Sequence, residues 1–430
     1  MTIIYAFFTP FSNKNPVVIY VFLPYIILKP QKEDIFIMVK SVVNAGFIGA
    51  GSFITAHHLP TAYESNFINI RAIADLNPEI LAAHAEKFSP DYTASDYRQL
   101  LDDPEIDLIV IGTRQDTHAK LIVEALNAGK WVWCEKPMCD TPEEEAAVIA
   151  AEERAGGRLA IGFNRRFAPA VTKSLEILKN LPRPWIINYR LQANDYYKNR
   201  KHDTFYHDRA HIIYEGCHML DLANFIYGTL PERLFMSGTE DENDIVILEY
   251  ADGSRFVLTI TSQAGAPMLE KEMLEIFTRN GAISMRDFIE LRVRSVAGEK
   301  DYLFLPERCK YNTQIARWGY PFWETLRSRL VEQDVNRSRG IVSVIPAMED
   351  QPFAAELAKI AEAEKDAPWQ ERNIFCDKGW KDSFCHFARA CMEKSEPLTA
   401  DGKAGKIAND MGFALIESKK LGMPVNFTTK

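Results

Sequence analysis

Apolar and polar positions follow two rhythms along this chain. From residue 39 to 162, short apolar runs at 42–48, 68–74, 106–113, 131–134 and 159–162 are separated by amphipathic stretches. The runs have strand length, and the stretches between them have helical spacing. Residues 78–88 form one predicted helix. Residues 118–128 form another, stopped by Gly129. A third opens at Thr141, a capping residue, with Pro142 in the first turn and Glu143, Glu144 and Glu145 placed to complement the helix dipole. Strand and helix alternating in this way predict a doubly wound parallel sheet.

The rhythm changes after Gly162. Residues 185–190 read as a strand, and a polar loop then runs through 208. A helical stretch begins near residue 211 and carries Tyr214, Glu215, His218, Met219 and Leu222. Runs at 245–250 and 255–260 flank Asp252-Gly253, and runs at 270–277 and 282–285 flank Asn280-Gly281. Both pairs read as hairpins. Residues 286–296 add a further strand, and 378–395 and 403–421 read as two helices. The second half is therefore an α/β domain with a mostly antiparallel sheet. Residues 310–375, rich in Arg, Glu and Ala, carry no clear pattern.

Composition narrows the picture. A chain of 430 residues holds two or three domains. A net charge of −9 argues against nucleic acid as a partner, because phosphate backbones need a basic face. Seven scattered cysteines, odd in number and without a CxxC pair, point to a reduced, cytoplasmic compartment. Residues 1–37 hold two apolar patches, 3–8 and 17–28, the second interrupted by Pro24 and too short to span a bilayer. They carry neither a clean cleavage site nor a twin-arginine motif. With Met38 as a natural start for the first strand, residues 1–38 read as a dispensable extension. The rival reading is a membrane anchor, and deleting the segment separates the two: lost solubility or activity would count against the extension.

The chemistry begins where the first strand ends. In Gly46-Phe-Ile-Gly49-Ala-Gly51-Ser52-Phe53, a strand turns through glycines into a helix start. Glycines let backbone N–H groups approach a phosphate, and the helix N-terminus adds positive potential. Asp75 ends the next apolar run, where a ribose-binding carboxylate belongs. The three together predict NAD(P) binding in a Rossmann domain spanning 39–162. Asp75 repels a 2′-phosphate, and Leu76, Asn77 and Pro78 bring no arginine to hold one, so NAD is expected over NADP. The third small position of the glycine fingerprint is filled by Ile54, which should loosen the packing of helix on strand.

At Trp131-Val-Trp-Cys-Glu135-Lys136-Pro137 the sequence resembles the glucose-fructose oxidoreductase / inositol dehydrogenase / rhizopine-catabolism (Gfo/Idh/MocA) family. The resemblance runs from residue 41 to the end. It includes Thr113-Arg-Gln-Asp-Thr-His118, Gly162-Phe-Asn-Arg-Arg-Phe167, Glu215-Gly-Cys-His218-Met-Leu-Asp221, and Lys271-Glu-Met-Leu-Glu-Ile-Phe277 with Asp287-Phe288. It implies a dehydrogenase in which residues 163–430 hold a sugar, nucleotide sugar or cyclitol and assemble a homodimer or homotetramer through their sheet. It also implies that Lys136 stabilises the developing oxyanion, with Glu135 orienting it or the ribose, and that Pro137 follows a cis bond. His218, with an unperturbed pKa near ~6.5, suits a general base.

This chain departs from the family's pattern at several points. The family places an Asp four residues before the histidine; here that position is Tyr214, with Glu215 beside it. Glu215 turns in, or Tyr214 takes part directly, or the base is weaker. That departure keeps alive a second reading, a catalytically silent NAD-binding regulator. Thr113, Arg114, His118 and Asn164 fall where the sheet's carboxyl edge meets the cofactor. Arg114 replaces a proline and suits an acidic substrate, a cofactor phosphate or open solvent. One of Arg165 and Arg166 is expected to pair with acids between the domains. His207 and His211, four apart, invite a zinc reading, but solvated histidines beside a cleft are the plainer one, and no metal is expected. Tyr189, Tyr196, Tyr197, Phe205 and Tyr206 are candidates to stack on a sugar ring or to pack in the core.

Overall fold

The computed structural model describes residues 41–192, 211–239, 243–261, 270–306, 308–339, 351–367 and 375–428. Residues 1–37 and Tyr196, Tyr197, Phe205, Tyr206, His207 and Asp208 lie outside them. Among the described residues no helix is long and apolar enough to cross a membrane.

The first sheet comprises β1 (Val43–Ile48), β2 (Ile68–Ala74), β3 (Tyr92–Ala94), β4 (Leu108–Ile111), β5 (Trp131–Cys134) and β6 (Leu159–Ile161). Their order is β3-β2-β1-β4-β5-β6, with every pairing parallel. This is the doubly wound order of a dinucleotide fold, whose switch point lies between β1 and β4. Helix Pro78–Phe88 has the bounds its pattern predicts. Helix Pro142–Ala155 starts as expected, with the Thr141 hydroxyl accepting from the Glu144 N–H at 3.2 Å. β4 spans Leu108–Ile111, shorter at both ends than its apolar run.

The second sheet contains β7 (Ile186–Gln192), β8 (Arg233–Gly238), β9 (Asp244–Glu249), β10 (Arg255–Thr261), β11 (Glu272–Phe277), β12 (Ala282–Arg286), β13 (Glu290–Arg294), β14 (Tyr302–Leu303) and β15 (Val425–Asn426). Only β7 and β10 pair in parallel; the other neighbours are antiparallel. The Asp252-Gly253 turn is present, with Gly253 at φ +86°. Between β12 and β13 the chain turns through Asp287 and Phe288, both at positive φ (47° and 59°), conformations that cost a non-glycine residue energy. The Asp287 carboxylate and N–H in turn bond the Glu272 N–H and carbonyl. One sheet face is buried under helices Pro169–Leu178, Gly216–Tyr227 and Gly402–Leu421; among the described residues the other face of β9, β10 and β11 is half-buried to exposed.

Helix Trp380–Glu393 departs from what its place in the sequence suggests. It follows all but the last strand of the second sheet along the chain, yet Phe384, Phe387, Ala388 and Cys391 pack on the first, against Phe47 and Trp133. Their spacing marks a helix with one apolar face but says nothing of which sheet it covers. Leu121, Ile122, Val148 and Ala408 cover the opposite face. The cofactor domain is therefore completed by the C-terminal region. Phe384→Ala should cost about 3–5 kcal/mol of stability. A urea melt that monitors Trp133 should show it; an unchanged midpoint would rule out this packing.

Candidate active site

Main-chain geometry shapes the end of β1. Gly49 sits at φ +83°, and a Cβ there would lie 2.8 Å from Thr113 Cγ2 and 2.9 Å from the Thr113 nitrogen. No other residue fits. Gly51 precedes helix Ser52–Ala56; nothing lies within 4 Å of where its Cβ would be, and Gly51 and Ser52 are exposed. Backbone N–H groups here have room for an anion. Phe53 turns away, into a ring cluster with His57, His58 and Trp380. Ile54 does not loosen the packing as expected: a Cβ on Gly112 would fall 2.1 Å from Ile54 Cγ1, so a glycine on the neighbouring strand end makes room for it.

Asp75 is tied to this loop. Its Oδ2 accepts from the Ala50 N–H at 2.8 Å and its Oδ1 from the Asn77 N–H at 2.9 Å. Each oxygen keeps a second lone pair for a ribose hydroxyl. The loop and the acid therefore fit a dinucleotide: Gly49, Gly51 and Ser52 would hold its pyrophosphate and Asp75 its adenosine ribose. At the next strand end, the Thr113 and Thr117 hydroxyls share a hydrogen bond of 2.6 Å, and exposed Arg114 leans on Asp116 at 3.5 Å. His118 is buried, with Nδ1 2.7 Å from the Pro137 carbonyl and Nε2 3.3 Å from that of Thr113. Burial lowers its pKa, although both carbonyls oppose this. It ties two cofactor-edge loops together from behind.

The β5 end brings in the motif residues. The Lys136-Pro137 bond is cis. Glu135 Oε1 lies 2.7 Å from His58 Nε2, and its carboxylate fills the space a Gly162 side chain would need. Lys136 Nζ donates to the Tyr214 carbonyl and to Glu215 Oε2, both at 3.0 Å. The Tyr214 hydroxyl points elsewhere, donating to Asp140 at 3.1 Å. Glu215 does turn in, but its carboxylate goes to Lys136 rather than to His218. Burial alone would raise the Glu215 pKa, but Lys136 and then Lys271 overcome this and hold it well below the usual carboxylate range.

His218 lies on the same helix as Gly216 and Cys217 and is 5% exposed. Its Nδ1 has no hydrogen-bond partner among the described residues. Burial, Arg165 and Lys136 together push its pKa far below the ordinary histidine value, so the ring is neutral. Asp221 does not serve it, being held by Arg166 in a two-point ion pair. Asn164 donates to the Lys378 carbonyl at 2.7 Å and is 1% exposed, so it braces the junction. Among the described residues no group of three potential metal ligands converges.

Residues 43–163 match the profile of the GFO_IDH_MocA oxidoreductase family, an NAD-binding Rossmann fold. The oxidoreductase YrbE of Bacillus subtilis is 31% identical over 302 residues, covering 66% of this chain and 86% of that protein. The chain belongs to the Gfo/Idh/MocA oxidoreductase family. Levoglucosan dehydrogenase of Pseudarthrobacter phenanthrenivorans is 29% identical over 46% of this chain and 57% of its own length. Among solved structures, an oxidoreductase from Agrobacterium radiobacter in complex with NAD+, L-tartaric acid and magnesium superposes with a TM-score of 0.64 at 16% identity. It covers 89% of this chain and 98% of that one. The cofactor of this Gfo/Idh/MocA enzyme is NAD.

Sequence reasoning missed Glu272 and Lys378. Glu272 is fully buried and takes a two-point ion pair from Arg165, with Nε and Nη2 at 2.9 and 2.8 Å, while Lys378 and Tyr189 also donate to it. Both arginines of the junction thus pair with acids. The signal was present in the pattern: Glu272 shares the inward phase of β11 with Leu274 and Ile276. A carboxylate in an apolar phase needs buried cations.

The loop geometry makes one prediction. Asp75→Ala should weaken NADH binding roughly tenfold or more and narrow the preference for NADH over NADPH. Fluorescence titration with both cofactors reads this; an unchanged ratio would remove Asp75 from the ribose site.

Proposed function

We propose that the protein is a dehydrogenase that moves a hydride between NAD and a secondary alcohol or ketone of a sugar, nucleotide sugar or cyclitol. The observation that carries this reading is Lys136, held at 3.0 Å by Glu215 and partly exposed beside neutral His218 at the carboxyl edge of β5. The relationship to levoglucosan dehydrogenase supports the substrate class.

Bound NAD supplies the hydride acceptor. The protein supplies the proton chemistry. In the oxidising direction, neutral His218 takes the hydroxyl proton, and the Lys136 ammonium stabilises the alkoxide that forms. In the reducing direction both act in reverse. Glu215 keeps Lys136 cationic and oriented. The cysteines are free thiols, and burial raises those of Cys134, Cys139 and Cys217, so they stay protonated. Free thiols suit a cytoplasmic location.

The less buried face of the second sheet supports a homodimer or homotetramer. Phe235, Ile247 and Val257 lie in register across β8, β9 and β10, with Ile245, Ile186 and Phe277 exposed nearby. Val257→Arg should shift the assembly to smaller species in light scattering; an unchanged mass would discount this face.

Lys136→Ala should abolish NADH production from the right polyol, a loss of about 10²-fold or more, while NADH still binds. Because the His218 pKa is lowered, the base remains free down to lower pH. The acid limb of kcat/KM for oxidation should therefore fall below ~6.5. NADH binding without turnover across a sugar panel would favour a silent regulator.

A further inference from the structure

The charges behind Lys136 alternate. The Lys378 ammonium donates to Glu272. Glu272 receives the two-point pair from Arg165 at 2.8 and 2.9 Å. Arg165 Nη2 lies 3.6 Å from Glu215 Oε1, and Glu215 Oε2 lies 3.0 Å from Lys136 Nζ. The series runs from the 375–379 segment through β11 and the 164–167 turn to the helix start and the β5 end. Its side chains are between 0 and 16% exposed, so water screens these charges little.

We propose that Glu272, Arg165 and Lys378 are positioning residues that set the charge and placement of Lys136 through Glu215. Glu215 lies between two cations. How strongly it engages Lys136 depends on how fully Glu272 satisfies Arg165. Without the Glu272 charge, Arg165 draws on Glu215, and Lys136 loses part of its partner. Without Lys378, Glu272 keeps Arg165 as its cation beside the Tyr189 hydroxyl and engages it more fully, and Glu215 is released toward Lys136. The second sheet thus tunes an amine carried by the first. Among the described residues, the other ionisable groups facing this site include Glu135, bonded to His58, Asp140, bonded to Tyr214, His218 and Cys217 on the helix, Tyr189, bonded to Glu272, and Lys271 just before β11. None of them bridges Glu272 to Lys136.

The inference rests on the proposed role of Lys136, but its test does not need turnover. Acetic anhydride labels only unprotonated amines. Labelling of Lys136 in the full-length protein across a pH series, read by peptide mass spectrometry, therefore gives the midpoint of its titration. Glu272→Gln should lower that midpoint by ~1 pH unit, and Lys378→Met should raise it. Simple loosening of the junction admits water and moves both variants the same way. Opposite shifts support the inference; no shift, or two shifts of one sign, overturn it. If Glu272→Gln does not fold, the sign for Lys378→Met decides alone: a rise supports, and a fall or no change overturns. A wild-type enzyme that labels as expected but turns over no polyol would sink the proposed function while leaving this coupling intact.

Discussion

Burying a carboxylate with no access to water is unfavourable unless cations and donors replace the lost hydration. Glu272 meets that requirement with Arg165, Lys378 and Tyr189. The junction of the two sheets is organised around it. Arg165 cannot move without stranding Glu272, and Lys378 cannot move without disturbing Asn164, which bonds its carbonyl. The strained Asp287-Phe288 turn fixes the strand position from which Glu272 reaches inward. These contacts join four segments that are far apart in sequence.

Tyr214 enters this network without a charge of its own. Its main-chain carbonyl accepts from Lys136, its hydroxyl donates to Asp140, and the carboxylate that pairs with Lys136 comes from the next residue. Because Glu215 precedes the helix Gly216–Tyr227, it reaches Lys136 from the helix start rather than from one turn before His218.

Much of this was legible in the sequence. The parallel sheet, the glycine loop, Asp75 and the Asp-Gly hairpin follow from local spacing, because each depends on neighbours a few residues away, while the Lys136 motif came from the family resemblance. Other features depend on partners hundreds of residues distant, and local spacing is silent there. Helix Trp380–Glu393 shows its apolar face but not the sheet it covers. His118 looks like a cofactor contact until its two carbonyl partners are seen. Gly112 acquires meaning only when Ile54 is placed against it. Glu272 was the missed opportunity, since a charge in the inward phase of a strand is visible without a structure.

The placement of Phe384 and Phe387 bears on how the protein is made. A ribosome releases β1 and β5 well over two hundred residues before the helix that shields Phe47 and Trp133. Until then the nascent Rossmann half presents a greasy, unroofed surface, and vectorial folding cannot finish the cofactor domain first. A chain cut short before residue 380 would leave Phe47 and Trp133 without that cover.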